Sequence, residues 1–169
     1  YSDIIKEIAK LYPDQSPIAL HSPVFSGNEK KYLNECIDST YVSYVGQFVS
    51  DFEKSISNYV GTSHAVAVVN GTSALQIALK VSGVSPGDEV ITQSLTFVAT
   101  ANAISHCGAI PVFMDVDLDT LGMGVKKLKK WLAKNTFYDS NIKATINRTT
   151  GRKISAIVPM HTFGIPCRI

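Results

Sequence analysis

The sequence predicts an α/β fold, a mostly parallel sheet flanked by helices, and three observations carry that prediction. Short apolar runs rich in valine and isoleucine alternate with stretches of helical period from residue 64 onward. The runs are apolar throughout, the pattern of strands covered on both faces. Hydrophobic residues make up 45% of the 169 and charged residues 18%, which suits a chain with a substantial core and excludes a disordered tail.

The elements follow in order. Ile4, Ile5, Ile8 and Leu11 share one face of a short amphipathic helix, and Pro13 and Pro17 end it. Asn28 offers an N-cap to a second helix, in which Tyr32, Leu33, Cys36 and Ile37 repeat with helical period. After Gly46 the stripe Phe48, Val49, Phe52, Ile56, Tyr59 and Val60 predicts a longer helix, with Gly61 placed to stop it. Residues 64–69 read as a valine-rich first strand, broken by Asn70-Gly71-Thr72-Ser73, and residues 74–81 as a helix. Ser85-Pro86-Gly87-Asp88 has Pro and Gly where a type II turn wants them. A strand over 89–92, an Ala-rich buried helix over 96–107 and a strand over 110–114 come next. Val125, Leu128, Trp131 and Leu132 mark another amphipathic helix, flanked by Lys126, Lys127, Lys129, Lys130 and Lys134 as a solvated surface. Residues 137–152 are polar and read as a surface excursion, and residues 154–158 as a fourth strand.

Composition removes several classes of function. The net charge is only +2 and the basic residues are mostly spread along the chain, so the basic stripe of a nucleic-acid binder is missing. The longest uncharged stretch, residues 90–114, contains Gln93, Asn102, His106, Gly108 and Pro111 and lacks the sustained apolarity of a membrane helix. Asp3, Lys6, Glu7 and Lys10 interrupt the first twelve residues, which therefore do not read as a signal peptide. A soluble cytoplasmic protein, without nucleic-acid or membrane partners, is expected. Cys36, Cys107 and Cys167 imply no disulfide framework, and His21, His64, His106 and His161 never fall at zinc-ligand spacing, so no metal is expected. Asn70-Gly71-Thr72 and Asn147-Arg148-Thr149 match the glycosylation pattern but lack the secretory context that gives it meaning. Tyr1 is not a start methionine and the last ten residues directly follow an apolar run, so the chain reads as the N-terminal portion of something longer.

Open α/β sheets bind ligands beyond the carboxyl ends of their strands, and four such places stand out. At Asn70-Gly71-Thr72-Ser73 the amides of Gly71, Thr72 and Ser73 would open at a helix N-terminus, with two hydroxyls as further donors, and so suit a phosphate. A turn followed by a plain N-cap explains the same residue types equally well. No Lys follows as in a Walker loop, and the glycine fingerprint of a dinucleotide site is absent. Phe97, at the start of the next helix, can stack on a planar ring or pack beneath that helix as core. The aspartates of Asp115-Val116-Asp117-Leu118-Asp119 suggest a calcium loop, but Thr120 and Lys126 stand where Gly and Glu are required, so turn formation and capping explain them better. His161 follows the last strand and serves either a ligand or the structure. Asn70, Gln93, Phe97 and His161 all lie at or just past strand ends, which points to one common site.

Several motifs in order resemble the DegT/DnrJ/StrS family of sugar aminotransferases. They are Asn70-Gly-Thr-Ser-Ala-Leu75, Pro86-Gly-Asp-Glu-Val90, Thr96-Phe-Val-Ala-Thr-Ala-Asn-Ala103, Gly108-Ala-Ile-Pro-Val-Phe-Met-Asp115 and Val158-Pro-Met-His-Thr-Phe-Gly164. The resemblance covers roughly residue 22 to the end. Within the family, the stretch from Cys36 to Gly46 and the run Met160-His-Thr-Phe-Gly164 look most like the LegC-type branch, which acts on UDP-linked 4-keto-6-deoxy-N-acetylhexosamines.

The resemblance implies part of the large domain of a fold-type I transferase dependent on pyridoxal 5'-phosphate, usually a homodimer with active sites at the subunit interface. Residues 1–45 would be an N-terminal helical segment and active-site loop, and residues 46–169 an incomplete part of the cofactor-binding domain. By the same resemblance Gly71, Thr72 and Ser73 hold the cofactor phosphate, Phe97 stacks on its ring, and His161 lies close by. Ser43, Tyr44 and Gly46 lie near the nucleotide sugar. The family's Schiff-base lysine and the acidic partner of the pyridine nitrogen come after residue 169, so no catalytic residue is assigned and this chain alone is not expected to transaminate. The expected reaction of the intact enzyme moves an amino group from an amino-acid donor, glutamate, to a nucleotide-linked 4-keto-6-deoxyhexosamine. A related dehydratase using the pyridoxamine form, a non-catalytic module binding a phosphorylated ligand, and a nicotinamide-dependent dehydrogenase are the competing readings.

Overall fold

The computed structural model describes residues 1–15, 17–19 and 22–168, so His21 lies outside the described residues. The chain divides into two compact units, Tyr1–Ala67 and Val68–Ile169.

Among its described residues the first unit carries three helices: α1 (Ser2–Leu11), α2 (Glu29–Asp38) and α3 (Gln47–Val60). All three follow the apolar periodicity of the sequence, yet none buries a residue completely. Asn28 does precede α2, but its side chain makes no capping bond; instead the Glu29 carboxylate accepts the Gly27 N–H at 2.9 Å. Gly61 ends α3 as expected, with φ 71° in the left-handed region that favours glycine. Across the α2–α3 connection the rings of Tyr32 and Phe48 pack with centroids 5.1 Å apart. Glu53 of α3 accepts the Ala67 N–H at 2.8 Å, which draws the end of the unit back onto its own helix.

The second unit is the α/β part. Its elements are α4 (Gly71–Val81), β1 (Glu89–Gln93), α5 (Val98–His106), β2 (Ile110–Met114), α6 (Val125–Asn135), β3 (Thr136–Asp139), β4 (Ala144–Asn147), β5 (Lys153–Val158) and a single 3-10 turn, Thr162–Gly164. The five strands lie in the order β2-β1-β5-β4-β3. β1 pairs in parallel with β2 and β5, whereas β4 runs antiparallel to both β5 and β3.

Two expectations are corrected here. Residues 64–69 form no strand, and Val66 and Val69 are 81% and 87% exposed. A valine run becomes a strand only where a neighbour offers a ladder, and beyond β2 and β3 the sheet continues no further among the described residues. The polar segment 137–152 is not an excursion but part of the β3–β4 hairpin, with Phe137 opposite Ile146. Its outer strand exposes Phe137 and Tyr138 on opposite faces, so its composition imitates a loop although Ala144, Ile146 and Asn147 of the inner strand are buried. The sheet is therefore mixed, its parallel half being the part the apolar runs announce.

The connection into β1 shows why two glycines are needed. Gly87, at φ 86°, occupies the left-handed position of the Ser85–Asp88 turn, closed by the Asp88 N–H on the Ser85 carbonyl at 3.1 Å. Gly108 lies against this turn, where a Cβ would meet that of Pro86 at 3.0 Å, and its carbonyl accepts the Gly87 N–H.

Alternate residues of β1 feed two cores. Val90 joins Leu79, Val84, Ala103, Ile104 and Cys107 beneath α4 and α5, together with Ala156 and Val158 of β5. Ile91 points the other way, with Met114 and Met123, beneath Leu128 and Trp131 of α6. Glu89, 2% exposed, accepts Asn147 Nδ2 and Thr150 Oγ1, each at 2.7 Å, and so ties β1 to β4 across a bulge in β5.

The loop from β2 to α6 is held by its aspartates. Asp115 accepts the Val116 N–H and pairs with Lys127, which sets that lysine apart from the solvated others; Asp119 pairs with Arg168. The Lys127 hydrogen bond, the Val116 N–H and the Lys127 charge hold the Asp115 carboxyl below its ordinary value. Desolvation pushes Asp119 upward, but the hydrogen bond and charge of Arg168 outweigh it, so this carboxyl also lies low. Both pairs contribute above the ordinary aspartate range and fade as pH falls through the lowered values.

Two outcomes follow from this packing. Ile104→Ala, at a fully buried position, lowers the unfolding free energy by about 2–5 kcal/mol in a urea titration. Lys127→Ala moves the Asp115 carboxyl back up toward its ordinary value in an NMR pH titration and leaves Asp119 where it was.

Candidate functional site

The connection from β1 to β2 crosses the sheet face covered by α5, whereas the route from β2 to β5 passes over the opposite face, covered by α6. β1 and β5 are neighbours, so the chain switches faces between them, and the edge at their carboxyl ends is where open sheets bind ligands. α4 leads through a short turn into the start of β1 and packs on α5, with Gln76 Nε2 on the His106 carbonyl at 3.0 Å.

Beneath that edge lies the Gln93 amide, which is fully buried. Its Nε2 lies 2.9 Å from the Leu95 carbonyl, 3.0 Å from Thr162 Oγ1 and 3.2 Å from the Leu121 carbonyl. Its Oε1 accepts the Met160 N–H at 3.1 Å. Thr162 in turn donates its hydroxyl to Leu121 at 2.9 Å. One side chain thus links the segments that follow β1, β2 and β5. Leu121 reaches its position through a left-handed backbone, at φ 53°.

α4 covers the same face of the sheet as α5. The helix begins at Gly71, three residues before the expected start, because Asn70 caps it: its Oδ1 accepts the Ser73 N–H at 2.9 Å. That bond engages one of the three amides singled out from the sequence and leaves those of Gly71 and Thr72 without a helical partner. Gly71 is not in the left-handed region, and a Cβ there would meet nothing within 4 Å. Neither backbone nor packing requires glycine, and the space ahead of the helix is open. Two free amides, the Thr72 and Ser73 hydroxyls and the positive end of a helix dipole make a place that attracts phosphate.

Phe97 is the N-cap residue of α5, with its carbonyl accepting the Thr100 N–H at 3.0 Å. Its ring is 74% exposed, so the reading of a core residue packed beneath the helix does not hold. Opposite, past β5, His161 is exposed, and its Nδ1 accepts the Cys167 N–H at 3.1 Å with Cys167 Sγ at 3.3 Å. A backbone N–H only donates, so the neutral ring carries its hydrogen on Nε2. Of the four residues expected to converge, Asn70 is a cap and Gln93 a buried brace, while Phe97 and His161 present their rings at the edge.

Ser43, Tyr44 and Gly46 belong to the first unit. The Gly46 N–H bonds the Ser43 carbonyl at 3.1 Å, and a Cβ on Gly46 would press on the Tyr41 carbonyl at 3.2 Å. Tyr44 is 85% exposed, and Leu33, Ile37, Tyr41, Val42 and Phe48 line a shallow apolar hollow beside the turn.

Comparison with known proteins places this architecture. The model of the DegT/DnrJ/EryC1/StrS aminotransferase family matches residues 24–169. The GDP-perosamine synthase of Caulobacter vibrioides is 39% identical over 154 residues, which cover 91% of this chain and 37% of that protein. A DegT DnrJ EryC1 StrS aminotransferase from Brucella abortus superposes with a TM-score of 0.61 at 31% identity, covering 88% of this chain and 39% of that one. DesI, crystallised in the presence of its TDP-sugar product, superposes with a TM-score of 0.61 at 30% identity, covering 82% and 30%. The chain belongs to the DegT/DnrJ/EryC1/StrS aminotransferase family, whose aminotransferases use pyridoxal phosphate. It spans well under half the length of these relatives. No helix among the described residues is long and apolar enough to cross a membrane.

Sequence reasoning missed Thr162, Leu121 and Cys167 as parts of the edge, since each acts through contacts made far along the chain. Replacing Gln93 tests the brace. Gln93→Leu leaves the Met160 N–H without its acceptor and speeds its amide exchange about tenfold or more, a loss of at least about 1.4 kcal/mol of local stability. The exchange of the Ile104 amide, within α5, changes much less.

Proposed function

We propose that the intact protein is a pyridoxal-phosphate-dependent aminotransferase that converts a nucleotide-linked 4-keto-6-deoxyhexosamine to its 4-amino sugar, with glutamate as donor. The observation that carries this reading is the open α4 N-terminus, in a chain of this family that also exposes Phe97. The name of the Caulobacter relative denotes a nucleotide-linked amino sugar, and DesI was crystallised with a TDP-sugar, which supports the substrate class. The stretch from Cys36 to Gly46 and the run from Met160 to Gly164 support a LegC-like preference within it.

In this reading the residues fit the cofactor as follows. The amides of Gly71 and Thr72 and the hydroxyls of Thr72 and Ser73 hold its phosphate, while Asn70 keeps the helix end in register. Phe97 covers one face of its ring. His161, its neutral ring protonated on Nε2, offers a donor to a polar group of the ligand. Ser43, Tyr44 and Gly46 bind the nucleotide sugar. Bound there, pyridoxal phosphate supplies the electron sink for amino transfer; this chain's residues orient the reactants. Residues 1–45 then serve as the helical segment and active-site loop and residues 46–169 as part of the large domain, in a cytoplasmic homodimer.

Absorbance spectra of the full-length gene product with pyridoxal phosphate, before and after glutamate, test the reading. A bound-cofactor band that shifts to the pyridoxamine form is the expected result, and absence of any bound cofactor overturns it. Thr72→Ala and Phe97→Ala each weaken cofactor retention by about 1–2 kcal/mol, roughly 5- to 30-fold in Kd. Unchanged affinity in both removes this site assignment.

A further inference from the structure

We propose that Gly122 and Cys167 are positioning residues for His161, fixing its imidazole as an Nε2–H donor for the cofactor; the inference rests on the functional reading above. The His161 Nδ1 accepts the Cys167 N–H at 3.1 Å, and the Cys167 thiol lies 3.3 Å from the same nitrogen. Cys167 is 6% exposed, while His161 itself is exposed. One ring nitrogen is thus tied to a buried residue, which leaves the other to donate.

Two separate ties meet at this histidine. The first holds its backbone, for the Met160 N–H bonds Gln93 Oε1 at 3.1 Å and the buried Thr162 hydroxyl bonds the Leu121 carbonyl at 2.9 Å. The second holds its ring and comes from the next residue of the same β2–α6 loop. Cys167 packs so close to Gly122 that a Cβ there would meet the Cys167 Cβ at 2.5 Å and its Cα at 3.1 Å. Gly122 is not in the left-handed region, so space and not backbone angle calls for glycine. Cys167 reaches the ring because Gly122 has no side chain.

The segment has anchors that do not involve the ring, in the Ile165 N–H on the Thr162 carbonyl at 3.0 Å and in the Arg168–Asp119 pair. What the seat on Gly122 adds is the bond to Nδ1. An untied neutral imidazole exchanges its hydrogen between two nitrogens and turns about its terminal torsion, and either change weakens the bond it can make to a ligand. A ring fixed at its backbone and at one nitrogen presents the other as a donor in a single state.

The test uses the full-length protein, isotopically labelled in its histidine ring nitrogens, about two pH units above the ordinary histidine value. The His161 signal, identified by its loss in His161→Ala, should show the Nε2–H tautomer alone in the wild type. Gly122→Ala drives Cys167 off the loop; both tautomers should then appear, and pyridoxal phosphate should bind about three- to tenfold more weakly. In a His161→Ala background the same substitution should change that Kd by less than about twofold. Cys167→Pro removes the N–H donor without touching Gly122 and should repeat both effects, so the test survives a Gly122→Ala that fails to fold. A single Nε2–H tautomer kept in the folded variants overturns the inference. An equal loss of affinity with and without His161 also overturns it, because the contact is then packing alone. A wild type that takes up no pyridoxal phosphate overturns the functional reading instead, and the ring signals then decide the positioning by themselves.

Discussion

A primary amide sealed from water must find partners for its hydrogens and its oxygen, and Gln93 finds them in three different segments. Leaving any of them unmade would cost more than an ordinary hydrogen bond contributes, because the orphaned group has no water to return to. The loops that follow β1, β2 and β5 are therefore positioned as a set. The left-handed Leu121 and the clamped Thr162 are consequences of that closure, and the exposed rings at the edge stand on it.

The sheet provides the frame for this brace. Two opposite apolar faces, read by Val90 and Ile91, draw helices to both sides and force the chain to switch faces between β1 and β5. The switch point follows from topology, and the polar groups near it from strand ends. Asn70 is instructive, since by capping α4 it takes one amide for the fold and leaves two for a ligand.

Legibility in the sequence varied with the range of the interaction. The Pro86-Gly87 turn, the Gly61 stop and the Ile110–Met114 strand are local matters of turn chemistry and apolar runs, and they appear where the sequence places them. The phosphate-suited helix end was legible as a pattern, although its start at Gly71 depends on which side chain caps it. The valines of 64–69 and the hairpin of 136–147 were misread for one reason: a strand is defined by its partner, and composition reports only which faces are wet.

By itself the sequence determined the α/β class, the periodic helices, the tight turns and the residue types gathered at strand ends, because each depends on neighbours within a few positions. Tertiary structure alone decided that Gln93 is a brace, that Phe97 is exposed and that His161 carries its hydrogen on Nε2. It also decided that Gly122 leaves the room in which Cys167 sits. The first three rest on burial and partners that only the folded chain assembles. The last is a close approach between segments tens of residues apart, which no local preference can announce.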